Sequence, residues 1–152
     1  DGAQMEAWAA DFDSWEVCDQ ACGNLFAHTP LAYAKSLEWS ARPEAFVKRA
    51  GFVLMADLAH RDQKTSNAAL LAFLPVIERE AGDGRNFVKK AVNWALRDIG
   101  KRNLVLNVDA IAVADRLRQR PEPAARWNGG DAWRELTSEA VQARLAERAA
   151  RE

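Results

Sequence analysis

An all-α fold of stacked antiparallel helix pairs is what this sequence predicts, on three observations. Alanine is abundant, β-branched runs are scarce, and apolar residues recur three and four apart, the spacing of one helix face. Helix start and stop signals are frequent. The third observation is an internal repeat. Phe46-Val47-Lys48-Arg49-Ala50 recurs 41 residues later as Phe87-Val88-Lys89-Lys90-Ala91, and the match continues to Asp57 with Asp98 and Arg61 with Arg102. Ala95-Leu96-Arg97-Asp98-Ile99 reappears 37 residues later as Ala132-Trp133-Arg134-Glu135-Leu136. A weaker first copy starts at Phe12, 34 residues before Phe46. This is the period of HEAT-like arrays. One helix pair cannot bury its apolar face alone, so neighbours stack into a superhelical solenoid. Residues 1–152 then form a single domain with repeats at roughly 3–27, 30–60, 67–101 and 106–136, and a capping helix at 138–150.

The helices predicted in order are 3–10, 14–27, 30–41, 43–60, 67–81, 85–101, 106–119, 123–136 and 138–150. Asp13 with Glu16 resembles a capping box. Thr29-Pro30 places a cap before a first-turn proline, and Pro43 and Pro123 also suit first turns. Thr65, Ser66 and Asn67 are good caps. Gly82-Asp83-Gly84 stops one helix before the next. Asn103-Leu104-Val105-Leu106 is ambiguous between strand and helix. Asn128-Gly129-Gly130 falls where helix formers are expected and threatens to break helix 123–136.

Composition excludes several classes. Of 152 residues, 49% are apolar and 28% charged, which rules out a disordered tail or a fibre. Lys plus Arg is 21 against 22 for Asp plus Glu, a total unlike that of a strongly basic nucleic-acid binder. The distribution differs from the total. Asp1 to Ala34 holds six acids and no base, whereas Arg85 to Arg126 holds ten bases against Asp98, Asp109, Asp115 and Glu122. One face could therefore meet a polyanion, although solvated helix surfaces give the same pattern. Two cysteines cannot make a disulfide scaffold, and no apolar run approaches the roughly 18 residues of a membrane span. No signal peptide is visible, so a cytoplasmic protein is expected. The chain begins with Asp1, and an upstream stretch is expected to be missing.

The repeat offsets make Trp15, Arg49, Lys90 and Trp127 equivalent positions on successive second helices. One turn later come Asp19, Val53, Trp94 and Asp131. Residues four apart share a helix face, so these should form one stripe of tryptophan, cation and carboxylate. Such a stripe suits a concave binding surface. The competing reading makes Trp15 and Trp94 plain core aromatics. Phe12, Phe46 and Phe87 are expected in the core at equivalent positions.

At these residues the sequence resembles the AlkD-like DNA alkylation repair family of HEAT-like DNA glycosylases. The resemblance rests on Trp15-Glu16-Val17-Cys18-Asp19, on Phe46 to Ala50, on Phe87 through Trp94-Ala95-Leu96-Arg97-Asp98, and on Ala125-Arg126-Trp127 through Leu136. It covers roughly residues 8–140, and the chain looks like the later two thirds of a family member. The resemblance implies a concave face for duplex DNA carrying alkylated bases. It also implies hydrolysis of the bond joining a cationic purine, such as 3-methyladenine or 7-methylguanine, to deoxyribose. Asp19 matches the catalytic aspartate. Trp15 and Trp94 match aromatics packing on the backbone around the lesion, and Arg49 matches a basic DNA contact. Lys48, Lys89, Lys90, Arg126 and Trp127 complete the expected DNA-binding set.

The chemistry is consistent with those residue types. A cationic purine leaves as a neutral base, so the demand falls on the sugar, which becomes oxocarbenium-like. A fixed carboxylate stabilises that cation and orients water. A bare, unneutralised Asp19 is therefore expected, with no cofactor and no metal. Two alternatives are a non-catalytic DNA-binding module of the same family and a protein-interaction scaffold. Other candidate sites are weaker. Cys18, Cys22 and His28 lack a fourth metal ligand. His60 reads as a cap or surface residue. Asp57 and Asp98 read as surface ion-pair partners of Arg61 and Arg102, and Arg116, Arg118 and Arg120 as phosphate contacts or solvated side chains. Gly82-Asp83-Gly84-Arg85 lacks the Lys-Ser/Thr ending of a phosphate-cradling loop.

Overall fold

A computed structural model describes residues 2–10, 19, 22 and 30–152. The helices that can be bounded are α1 (Gly2–Ala10), α2 (Ala32–Ser40), α3 (Ala45–His60), α4 (Asn67–Leu71), α5 (Leu74–Glu80), α6 (Asn86–Gly100), α7 (Leu104–Arg118), α8 (Pro123–Leu136) and α9 (Glu139–Ala150). Among the described residues there is no strand. Of the predicted helix 14–27 only Asp19 and Cys22 are described; Phe12, the Asp13/Glu16 box, Trp15, Cys18, His28 and Thr29 lie outside the described residues.

The helices pack as two rows, as an all-α solenoid requires. The first helices α2, α4–α5 and α7 form one row, and the second helices α3, α6 and α8 form the other. α3 packs against both α2 and α6, and residues Val47 to Ala59 are all buried. A helix apolar all round belongs in such a central place. α9 covers the end of the stack against α7 and α8. The core runs continuously from Met5 and Trp39 through Phe52, Phe73 and Leu96 to Leu136. No helix among the described residues is long and apolar enough to cross a membrane.

Several boundaries differ from expectation for physical reasons. The predicted helix 67–81 is two helices, because Pro75 sits early in α5. A proline ring clashes with the carbonyl four residues earlier, here Leu71, where α4 ends. Pro30 and Pro43 precede their helices, which are entered at Leu31 and Glu44, whereas Pro123 opens α8 in its first turn as predicted. The ambiguous segment after Asn103 is helical: the Leu106 amide donates to the Asn103 side chain at 3.0 Å, a cap for α7.

Asn128-Gly129-Gly130 does not break α8, which is continuous. Gly129 lies where α7 crosses α8; a Cβ there would stand 2.4 Å from the Arg118 amide nitrogen and 2.5 Å from the Ala114 carbonyl oxygen. Gly51 does the same for α2 and α3, with Ser40 N at 2.4 Å. Gly51, Val92 and Gly129 are equivalent in the repeat register. Val92 fits without a glycine's clearance because its first-row partner is the broken α4–α5 pair, which lies less closely along α6.

Candidate nucleic-acid interface and Asp19 site

Arg49 is the hub of the site. It lies in the second turn of α3, with its side chain only 8% exposed. Its Nε donates to Asp19 Oδ1 at 2.8 Å and its Nη2 to Oδ2 at 2.6 Å, a bidentate fork. Its Nη1 donates to the Phe87 carbonyl at 2.6 Å, in the first turn of α6. Asp19 therefore sits against the second-helix row, with 20% of its side chain exposed. The bare carboxylate expected from the sequence is corrected here, since both oxygens carry a guanidinium bond. A carboxylate has about four lone-pair sites, so the fork leaves about two for water.

On α6, positions 87, 90, 94 and 98 share a face by helical periodicity. Phe87, expected in the core, is 40% exposed and stacks on half-buried Phe46 at 5.9 Å between centroids. Both rings stand in the first turns of their helices. Lys90 is exposed, and Trp94 is half-buried against the core. Lys89 lies over the Trp127 ring at 4.6 Å, and Trp127 is 41% exposed. Arg126 is exposed and directs Nη1 to the carbonyls of Arg120 and Pro121. Phe87, Lys89, Lys90, Arg126 and Trp127 thus cluster at the N-terminal halves of α6 and α8, while Trp15 lies outside the described residues.

Lys48, expected to contact DNA, is placed differently. It is buried, and its Nζ donates to Glu80 and Asp83, both at 2.8 Å. Arg85 grips the same Asp83 with Nε at 3.1 Å and Nη2 at 2.8 Å, and donates to the Pro43 carbonyl at 2.7 Å. The Arg85 bonds, together with Lys48 and against the cost of burial, hold the Asp83 carboxyl far below the usual range. Lys48 thereby ties α3 to the α5–α6 turn. Sequence reasoning took Gly82-Asp83-Gly84 only as a helix stop and missed this cluster.

Asp57 and Asp98 are not the surface ion pairs expected. Asp57 is 4% exposed and its Oδ2 has no hydrogen-bond partner; Arg61 reaches Oδ1 only at 3.6 Å. Asp98 meets Lys101 at 3.9 Å rather than Arg102. Burial raises the pKa of both carboxyls, opposed chiefly by Arg61 at Asp57 and by Lys101 at Asp98. Arg102 donates instead to the carbonyls of Ala59 and Thr65, at 2.7 and 2.8 Å, closing the C-terminus of α3. Arg116 pairs with Glu78, Arg118 with Asp115 and the Trp133 ring, and Arg120 with Glu122. Asp131 faces Asn93 at 3.1 Å. Cys22 is buried, with Sγ 3.6 Å from the Ala50 carbonyl. Among the described residues no group of three His, Cys, Asp or Glu could hold a metal ion.

The model of one protein family, described as DNA alkylation repair enzyme, matches residues 1–146 of the chain. No curated protein and no solved structure matches it significantly.

Proposed function

The chain belongs to the DNA alkylation repair enzyme family, and from that premise we propose that it binds duplex DNA and hydrolyses the N-glycosidic bond of cationic alkylated purines such as 3-methyladenine or 7-methylguanine. The observation that carries this reading is the part-exposed Asp19 carboxylate, clamped by Arg49 to the Phe87 carbonyl beside an aromatic and basic surface.

The basic and aromatic cluster of α6 and α8 supplies the grip. Lys89, Lys90 and Arg126 take phosphates, and Phe87 and Trp127 offer ring faces to the sugar or base. Asp19 supplies the chemistry. As the C1′–N bond breaks, its electron pair passes to the purine ring and cancels the positive charge, so a neutral base leaves. Positive charge develops on the sugar, and the carboxylate stabilises it. Water bonds to C1′ and its proton passes to the carboxylate or to solvent. Arg49 is a positioning residue in this scheme. Its three bonds fix where the Asp19 oxygens point, and its burial keeps it from a phosphate unless those bonds break. Trp94 borders the same α6 face.

Asp19→Asn should abolish release of 7-methylguanine in protein that still folds but melts lower, because buried Arg49 loses its counter-charge; unchanged excision would sink the assignment. The neutralising fork on Asp19 favours a second reading, a non-catalytic DNA-binding member of the family. That reading requires salt-sensitive DNA binding and no base release at any protein concentration.

A further inference from the structure

Of the two glycines in the middle of α8, the fold explains one. Gly129 makes the close crossing with α7. Gly130 has no such duty. A Cβ there would meet only the end of the Arg134 side chain, at 3.5 Å, and among the described residues no glycine has left-handed backbone. A mid-helix glycine nevertheless weakens a helix relative to alanine. A glycine needed by neither packing nor conformation still does one thing: it lets a ligand come close to the backbone.

The surroundings indicate what approaches. Lys89, Asn93 and Arg97 of α6 correspond, 37 residues later, to Arg126, Gly130 and Arg134 of α8. On α6 this stripe is covered by α8: Asn93 donates to Asp131 at 3.1 Å and Arg97 to Glu135 at 2.7 Å. Among the described residues no further second-row helix follows α8. The capping helix α9 reaches α8 at its C-terminal end, where Gln142 donates to the Leu136 carbonyl at 2.7 Å. The stripe from Arg126 to Arg134 is therefore an open edge of the stack. Both arginines are exposed, one on each side of Gly130, about 12 Å apart along the helix axis. Exposed Trp127 lies one turn before Gly130, with Lys89 over its ring. Asp131, the acid beside them, is shared among Asn93, Arg97 and Arg134, the last at 3.9 Å.

We propose that Gly130 is a notch for the sugar–phosphate backbone of one DNA strand, which crosses α8 at this edge. Phosphates on either side of the crossing meet Arg126 and Arg134, and a deoxyribose packs on the Trp127 ring. A side chain at position 130 would hold the strand off both arginines at once. The proposal rests on the DNA-binding reading above and carries the interface from the α6 face to the end of the stack. It does not depend on Asp19 catalysis.

The test compares the whole chain with its Gly130→Leu, Arg134→Ala and double variants, by thermal melts and by fluorescence anisotropy on a labelled duplex carrying 7-methylguanine. Leucine is a strong helix former, so Gly130→Leu should melt at or above the parent. It should also bind the duplex at least about tenfold more weakly. A purely structural role for Gly130 does not give that combination. Arg134→Ala should lower the slope of log affinity against log salt by about one, and should cost little further in the Gly130→Leu background. Ala112→Leu, on the exposed face of α7 in the first row, controls for added bulk and should bind as the parent does. Absence of duplex binding by the parent chain overturns the DNA-binding reading and this one with it. Where the parent binds, unchanged affinity in Gly130→Leu overturns the notch alone. So does a lowered thermal midpoint in that variant, an equal loss in Ala112→Leu, or full additivity in the double variant.

Discussion

Two adjacent glycines in α8 should respond to alanine with opposite signs. At Gly130 the nearest neighbour of an added Cβ is the Arg134 side-chain end at 3.5 Å, which is ordinary contact. Gly130→Ala should therefore show only the helix-propensity gain of alanine over glycine, about 1 kcal/mol. At Gly129 the same atom meets Arg118 N at 2.4 Å, Ala114 O at 2.5 Å and the Leu117 carbonyl carbon at 2.8 Å. These are backbone atoms of α7 and cannot rotate away. Restoring normal contact requires the two helices to part by about 1 Å. A gap of about that size already forfeits a quarter to a half of each contact's attraction along the crossing. Overpacking of this kind costs about 3 kcal/mol at the upper end of its usual range. Offset by the propensity gain, Gly129→Ala should destabilise by about 2 kcal/mol, some 3 kcal/mol below its neighbour. At this chain length each kcal/mol moves the thermal midpoint about 2–4 °C. Urea denaturation and thermal melts of both variants measure the difference directly. A Gly129→Ala variant as stable as Gly130→Ala would refute the close crossing, and with it the equivalence of Gly51 and Gly129.

The charged side chains yield three more expectations. Burial holds the folded pKa of Asp57 above its unfolded value of 3.8, so the native state binds more protons and stability falls as pH rises from about that value through the raised pKa. Asp57→Asn should stabilise the protein at pH 7 by roughly 1 kcal/mol, with the gain shrinking toward pH 4 in matched urea melts. Lys48→Met should cost only about 1–2 kcal/mol, because Asp83 keeps Arg85 and Glu80 keeps Arg79, and should leave the salt dependence of DNA binding unchanged. Lys90→Ala should do the reverse, lowering the slope of log affinity against log salt by about one with little change in denaturation midpoint.

The stack was legible because its cause is local. Apolar spacing and a recurring register are properties of the chain alone, and they located α6, α8 and α9 within one or two residues. The break between α4 and α5 was equally local, and reading Pro75 against Leu71 would have found it. Partnership among charges was not legible in the same way, because the partners lie about 30 residues apart. Arg49 joins Asp19 across 30 positions, and Lys48 joins Glu80 across 32.

Yet the register itself explains why equivalent cations meet different fates. Lys48 and Arg49 recur as Lys89 and Lys90, but the first pair is buried in ion pairs and the second faces outward. The acids that hold Lys48 are Glu80 and Asp83, just before α6; 37 residues later, before α8, the equivalent positions hold Leu117 and Arg120. The acid that holds Arg49 is Asp19; 34 residues later the equivalent position on α3 is Val53. Among the described residues neither Lys89 nor Lys90 pairs with a carboxylate: Lys89 settles on the Trp127 ring and Lys90 is exposed. The same motif thus builds a clamp in one repeat and a basic surface in the next. The switch lies in the neighbouring repeat's residues: Arg49 is spent on the Asp19 fork, while Lys89 and Lys90, one repeat on, keep their charge outside it.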